Sequence, residues 1–204
     1  MPCDYQTIKE KVENVLLKEK GSRFIGYLYQ VENEGEIKKR LDDIYALHPK
    51  ATHHCYAYRL GLNGGNYRAN DDGEPSGTAG LPIYNQLLSV GVTNVLLIIV
   101  RYFGGTKLGT GGLVKTYRES AQLVLEQAEI ITKELTELYQ LEFDYSHQAQ
   151  VTMLIKKLNL EIKFSEFTDK CRLTLIVPMR KKEDFFEKFD SLFAQNFVIQ
   201  NKVS

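Results

Sequence analysis

The spacing of apolar and polar positions predicts a series of strands and helices in the first part of the chain. Residues 22–31 and 52–60 are rich in aromatic and β-branched side chains, which is typical of strands. Between them, apolar residues recur at the spacing of an amphipathic helix: Ile37, Leu41, Ile44 and Tyr45. Asn63-Gly64 predicts a tight turn, after which residues 66–69 pair with the second strand as a hairpin.

A second helix, a buried strand and a third helix follow in the pattern. The second helix is expected to begin near Ser76 or Thr78, either of which can cap it, and to end at Gly91. The apolar run at 95–100 predicts a strand that is buried on both faces. The third helix is predicted over 112–128, with one apolar stripe formed by Leu113, Tyr117, Ala121, Val124 and Ala128.

From residue 135 onward the alternation is more regular and predicts the order β-α-β-β-α-β. Ser146 is expected to cap the first helix, and a short strand is expected from Phe197. The positions expected to face the core are Tyr139, Leu141, Phe143 and Tyr145 in the first strand; Val151, Leu154, Ile155 and Leu158 in the first helix; Leu160, Ile162, Phe164 and Leu173, Leu175, Val177 in the next two strands; and Phe185, Phe189, Leu192 and Phe193 in the second helix. This order is that of a ferredoxin-like sandwich.

The distribution of glycine separates the two patterns. All 15 glycines lie between Gly21 and Gly112. We therefore predict two domains, 1–132 and 133–204. Both are neutral, with 15 basic and 15 acidic residues in the first and 11 of each in the second.

Composition and charge exclude several classes of protein. A chain that is 43% hydrophobic and 25% charged is neither disordered nor collagen-like. The 26 basic and 26 acidic residues exclude the overall positive charge of a general nucleic-acid coat protein. The longest apolar run is far shorter than the ~20 residues of a membrane span, and the charged start lacks the apolar core of a signal peptide. We expect a cytoplasmic protein without membrane association, with its 3 cysteines reduced.

A glycine-rich loop before the third helix is the main candidate for binding. Its glycines are Gly104, Gly105, Gly109, Gly111 and Gly112, and four cations accompany them: Arg101, Lys107, Lys115 and Arg118. Backbone amides in such a loop approach a ligand closely, and a helix start favours an anion. The loop satisfies neither the P-loop pattern nor the dinucleotide pattern, so no nucleotide cofactor is expected. In the alternative interpretation, the glycines only shape a connection and Lys115 pairs with Glu119.

A second candidate combines an acidic turn with adjacent histidines. The residues are His53, His54, Asp71, Asp72 and Glu74. The carboxylates suit Mg²⁺, but Asp-Gly and Pro-Ser-Gly also form turns, and this second interpretation is favoured. Strand alternation places His54 on the face opposite His53 and Cys55, so no metal site is expected. Cys55 is interpreted as a small core residue in preference to a nucleophile.

Three ordered motifs resemble the signatures of the IMPACT/YigZ family. They are ATHHCYAYR at 51–59, NDDGEPSGTAG at 70–80 and VRYFGGTKLGTGGL at 100–113, and the resemblance covers residues 18–130. It implies an α+β first domain, a two-layer structure with helices on one face of a mixed sheet, like the second domain of translational GTPases and of a small-subunit ribosomal protein. The tail is similar to the second domain of bacterial members, which resembles the ferredoxin-like fifth domain of elongation factor G. Eukaryotic members regulate translation.

These observations favour a protein that associates with RNA or the ribosome and has no enzymatic activity or cofactor. Phosphates are expected on the amides of the glycine loop, with Tyr102 or Phe103 stacking on a base if exposed. One alternative is a hydrolase or transferase that uses the histidines and the acidic turn, with the glycine loop as an anion hole. Another is a protein-interaction module, for example one that binds the translation machinery. The oligomeric state is left open.

Overall fold

The computed structural model describes residues 3–193 and 198–202, which form two compact units. The first runs from Tyr5 to Lys133, and the second contains Cys3, Asp4 and the described residues from Glu134 onward. Both units combine helices with sheets, so the predicted α+β class is confirmed. No helix among the described residues is long and apolar enough to cross a membrane.

The first unit is built around a five-stranded antiparallel sheet. Its elements are β1 (Asp4–Ile8), β2 (Val12–Glu19), β3 (Ser22–Gln30), α1 (Glu34–Leu47), β4 (His53–Leu60), β5 (Asn66–Asn70), α2 (Gly80–Val90), β6 (Val95–Tyr102), α3 (Gly109–Glu126) and β7 (Ile130–Glu134). The sheet order is β2-β3-β6-β4-β5, while β1 pairs with β7. The central strand β6 is buried from Val95 to Arg101, which confirms the predicted buried strand.

Helices cover both faces of this sheet and all its strand pairs are antiparallel, so the expectation of two layers with helices on one face of a mixed sheet is wrong. Ile37 and Ile44 of α1 pack on one face with the side chains of alternate strand residues such as Ile98. Ile83 of α2 and Tyr117 of α3 pack on the other face. The central strands are apolar on both faces, and each face therefore requires its own cover.

Both helices on the second face start differently from the predictions. The α2 helix begins at Gly80, and its amides are capped neither by Ser76 nor by Thr78. The Asp71 carboxylate accepts the backbone N–H groups of Ala79 and Gly80 instead, at 2.9 and 2.8 Å. The α3 helix begins at Gly109, so it includes the last glycines of the loop. Gly91 ends α2 in a left-handed conformation as predicted.

The strands β1, β2 and β7 were not predicted. In β2 the pairing with β3 shifts register between Val12 and Val15, where Asn14 adopts a φ of 63°. This irregularity removes the alternation by which a strand is recognised. The alternation of apolar and polar residues in β2 is therefore interrupted in the sequence, although the segment forms an edge strand of the sheet.

The second unit has the predicted ferredoxin-like order. Its elements are β8 (Thr136–Phe143), α4 (Gln148–Leu158), β9 (Glu161–Phe167), β10 (Cys171–Pro178), α5 (Lys182–Phe193) and β11 (Val198–Lys202). The antiparallel sheet has the order β11-β8-β10-β9. Its core contains most of the predicted inward positions, among them Tyr139, Leu141, Phe143, Val151, Ile155, Leu173, Leu175, Phe185 and Phe189.

Several predicted details of the second unit are wrong. Ser146 does not cap α4, because its hydroxyl contacts the neighbouring His147 ring. Tyr145 lies beyond the strand and is exposed. Ile162 and Phe164 are exposed because β9 is an edge strand with a register shift against β10. The side chains of Leu192 and Phe193, and all of Phe197, lie outside the described part.

Gly104 is required by a close approach of two backbone segments. A Cβ at this position would overlap the carbonyl carbon of Gly21. At Gly111, by contrast, a Cβ would meet no atom within 4 Å. The two glycines therefore have different roles, although both belong to the same loop motif.

We predict that Gly104→Ala and Gly111→Ala change stability in opposite directions. Gly104→Ala forces a methyl group into backbone atoms and is expected to lower the free energy of unfolding by roughly 1–3 kcal/mol. Gly111→Ala restricts the unfolded chain and is expected to raise it by roughly 0.4–1 kcal/mol. Urea unfolding followed by circular dichroism measures both, and equal effects of the two variants would contradict this assignment.

Candidate functional site

The acidic turn between β5 and α2 is fixed by hydrogen bonds to its own backbone. Asn70 Oδ1 accepts the N–H of Asp72 at 2.7 Å, and the Asp71 carbonyl accepts the N–H of Glu74 at 3.0 Å. The Asp71 carboxylate accepts a further N–H from Gly77 at 2.8 Å. This side chain is therefore engaged by the turn and by the start of α2.

The turn directs the Glu74 side chain into the protein, where it pairs with Arg101 of β6. Arg101 Nη1 donates to Glu74 Oε1 at 2.6 Å, with the two side chains only 6% and 3% exposed. The Tyr117 hydroxyl of α3 donates to the same oxygen at 2.8 Å. Burial raises the pKa of Tyr117, so its hydroxyl remains a donor.

Cys55 extends this network into the core. Its Sγ lies 3.0 Å from the Asp71 carbonyl oxygen and 3.3 Å from the Tyr117 hydroxyl. Burial raises the pKa of the Cys55 thiol, so the thiolate needed for nucleophilic attack is disfavoured. The interpretation of Cys55 as a core residue is consistent with this environment.

The two histidines lie on opposite faces of the sheet. His53 Nδ1 lies 2.7 Å from the Asp72 carbonyl oxygen, and this bond requires the proton on Nδ1. Its Nε2 lies 3.8 Å from Glu74 Oε2. His54 instead packs against Tyr45 of α1, at 4.2 Å between ring centroids. Burial lowers the pKa of His54, which favours its neutral form.

The structure therefore divides the candidate acid–base residues into separate groups. His53 and Glu74 lie together, whereas Asp71 is used in capping. The Asp72 carboxylate accepts the His54 backbone N–H at 2.6 Å and the Tyr45 hydroxyl at 3.1 Å. It lines a second cavity of about 320 Å³ on the α1 side. The five residues do not form the common pocket that the hydrolase alternative requires.

A cleft of about 350 Å³ adjoins the buried ion pair. Its apolar lining comes from Pro75, Phe103, Leu108 and Leu113. Its polar lining comes from the ion pair and from the loop and first turn of α3: Glu74, Arg101, Lys107, Gly109 and Thr110. Glu74 and the start of α3 therefore line the same cleft.

The glycines of the loop differ in what they offer to a ligand. The Gly104 N–H already donates to Ser22 Oγ at 3.2 Å. Gly105 and Gly109 have positive φ values of 85° and 71°, and the space beside them is open. The Gly112 carbonyl accepts the Thr116 hydroxyl at 2.7 Å.

Leu108, at the N-cap of α3, has no hydrogen-bonding side chain, so the open amides lie at Gly109 and the residues after it.

The four predicted cations also have different environments. Arg101 is buried and is neutralised by Glu74, so its role as a cation for an external anion is not supported. Lys107 and Arg118 are exposed and form no ion pair with another described residue. Lys115 is exposed and lies 3.8 Å from Glu119, the pairing considered in the alternative interpretation.

Comparison with known proteins connects these motifs to a family. A model of the Impact N-terminal domain matches residues 20–125. The Bacillus subtilis protein named IMPACT family member YvyE is 33% identical over 183 residues, which cover 90% of this chain and 84% of the relative. This chain belongs to the IMPACT family. The family predicted from the three sequence motifs is thereby confirmed.

Other members of the IMPACT family show the same extent of similarity. Escherichia coli YigZ is 34% identical over 171 residues, covering 83% of this chain and 84% of the relative. A solved structure described as a hypothetical protein covers 100% of both chains, with a TM-score of 0.74 and 29% identity. The similarity therefore includes both units of this IMPACT family member.

Sequence reasoning missed two polar residues of this IMPACT family site. Tyr117 was assigned only to the apolar stripe of α3, although a fully buried tyrosine hydroxyl needs a partner. Ser22 binds the loop through its hydroxyl and also lies 3.5 Å from Arg101 Nη2. No group of three or more His, Cys, Asp or Glu residues in the described ranges is placed to hold a metal ion.

We predict that Arg101→Met strongly destabilises this IMPACT family protein. The variant leaves the Glu74 carboxylate buried without its cation, and loss of one partner of a buried pair costs about 3–5 kcal/mol. The double variant Glu74→Gln/Arg101→Met is expected to recover part of that loss. Urea unfolding measures the effects.

Lys9→Gln is the control, because it breaks a pair in which both side chains are more than half exposed, Lys9–Glu129. The unfolding midpoint of the control is expected to stay unchanged. A loss no larger in Arg101→Met than in the control would contradict the structural role of the buried pair.

Proposed function

We propose that this protein is a non-enzymatic factor that binds RNA, alone or within the ribosome, through the start of α3. The observation that carries the proposal is the first turn of α3: the N–H groups of Gly109, Thr110 and Gly111 have no partner within the helix, and Gly109 and Thr110 line the cleft. A helix start of this kind combines unpaired N–H donors with the positive end of the helix dipole, which favours phosphate. No side chain of the N-cap residue occupies these donors.

Exposed cations support phosphate binding at the same helix. Lys107 precedes the first turn, and Lys115 and Arg118 follow it on the exposed side of α3. Both side chains of the Lys115–Glu119 pair are exposed, and exposed ion pairs are weak. Lys107 lies directly before the N-cap residue of α3, where a cation opposes the helix dipole, so an anionic ligand there would relieve an unfavourable interaction.

The family and the second unit support a function in translation. The resemblance of the first unit to domains of translation factors, and of the second to the fifth domain of elongation factor G, implies surfaces used on RNA. The open face of the second sheet carries the exposed Phe164 beside a charged pair, Arg172–Glu142. A protein partner in the translation machinery and a cytoplasmic location are part of this proposal.

Charge reversal on α3 is expected to weaken RNA binding and reduce its salt dependence. For Lys115→Glu/Arg118→Glu we expect the slope of log K against log salt for single-stranded RNA to fall by roughly 1.4, because two phosphate contacts are lost. Filter binding and ribosome cosedimentation across a salt series measure the effect.

The matched control is Lys38→Glu/Lys39→Glu, which makes the same change of charge on exposed residues of α1, across the sheet. Its binding is expected to fall less, with an unchanged slope. Salt-insensitive binding, or an equal loss in both double variants, would contradict the proposed surface.

Removal of one amide tests the helix start directly. Thr110→Pro deletes a backbone N–H in the first turn of α3, where proline is tolerated. Because hydrogen bonds to charged groups contribute about 1.5–3 kcal/mol, we expect RNA affinity to fall roughly 10- to 150-fold. Thr110→Ala keeps the amide and is expected to bind like the natural protein. Similar affinities for the two variants, with intact circular dichroism, would exclude this amide.

A further inference from the structure

The cleft beside the ion pair has unused hydrogen-bonding capacity at its polar lining. Glu74 Oε1 accepts both hydrogen bonds that described side chains donate to this carboxylate. Oε2 lies 3.8 Å from His53 Nε2, beyond hydrogen-bonding distance, although the side chain is only 3% exposed. Arg101 Nε is also buried without a partner among the described residues. Because a carboxylate oxygen only accepts hydrogen bonds, Oε2 favours an N–H donor and disfavours an anion.

The walls of the cleft suit a flat apolar group. Phe103 is 47% exposed and lines the cleft with Pro75, Leu108 and Leu113. A volume of about 350 Å³ is typical of a site for a small ligand. An exposed aromatic ring at such a site can stack on a base.

The start of α3 gives the cleft a third feature, a place for an anion. Gly109 and Thr110 of the first turn of α3 line the same cleft, and Lys107 adds a positive charge. A ligand that satisfies all three parts has an N–H edge for Glu74, a flat ring for Phe103 and an anion for the amides. A nucleoside monophosphate combines these three groups. The single lysine matches one phosphate group and not the three of a nucleoside triphosphate.

We infer that this cleft binds one nucleoside monophosphate unit, with the N–H edge of its base on Glu74 Oε2, its ring on Phe103 and its phosphate at the start of α3. The placement of the phosphate rests on the proposed function. The unit is either one unpaired nucleotide of an RNA or a free nucleotide, since both present the same chemistry.

Titration calorimetry of the full chain with AMP, GMP, CMP and UMP tests the inference. At least one nucleotide is expected to bind and to displace single-stranded RNA, while ribose 5-phosphate at the same concentration does not. Absence of binding by all four nucleotides would overturn the inference.

Two comparisons test the base contacts. Phe103→Ala is expected to weaken nucleotide binding roughly 5- to 150-fold, the range for loss of one stacked base. The matched control Phe167→Ala removes another half-exposed ring, in the second unit, and is expected to have no effect. With the natural protein, an N-methylated analogue of the nucleotide that binds, such as N6,N6-dimethyl-AMP for AMP, lacks the N–H donors of the base and is expected to bind roughly 10- to 150-fold more weakly, without any change that could affect folding.

The outcomes separate this inference from the proposed function. If RNA binding depends on Lys115 and Arg118 but not on Phe103, and nucleotides do not compete, the proposed function stands and the cleft site is overturned. If nucleotides bind with the Phe103 and N–H dependence but RNA does not, the cleft site is supported for a free nucleotide and the RNA function fails. Equal binding of the nucleotide and its N-methylated analogue would overturn the contact with Glu74.

Discussion

The buried ion pair between Glu74 and Arg101 is the constraint on which the rest of the site depends. A carboxylate in the protein interior requires a cation and further donors, because its hydration is lost. These come from separate segments: Arg101 lies in β6, and the Tyr117 donor lies in α3. The pair therefore fixes the acidic turn against the central strand and the last helix of the first unit. The cleft exists because these three elements meet there.

Because of this ion pair, two cations of one motif have different roles. Arg101 and Lys107 lie six positions apart, yet one is buried and paired while the other is exposed. The Glu74 carboxylate largely cancels the field of Arg101 outside the molecule, so the exposed cations dominate the positive potential there. A protein with no net charge can therefore present a local basic surface, without the overall positive charge that general nucleic-acid binders carry.

The sequence was sufficient where structure depends on local periodicity. The buried strand β6, the stripe of α3 and the ferredoxin-like order follow from two-residue and helical spacing. It was insufficient where partners are distant along the chain. The neutralisation of Arg101 depends on Glu74, 27 positions earlier, and the requirement for Gly104 depends on Gly21. Periodicity does not encode such contacts, because only the complete fold brings these distant residues together.

The carboxylate of Asp71 links the length of a segment to the formation of a helix. It holds amides six, eight and nine residues ahead, so β5, the acidic turn and the first turn of α2 share one set of bonds. A residue inserted between Asp71 and Gly80 would move those amides away from their acceptor. Evolutionary changes of length should therefore be rare in the segment between Asp71 and Gly80, because each would break the bonds on which the first turn of α2 depends.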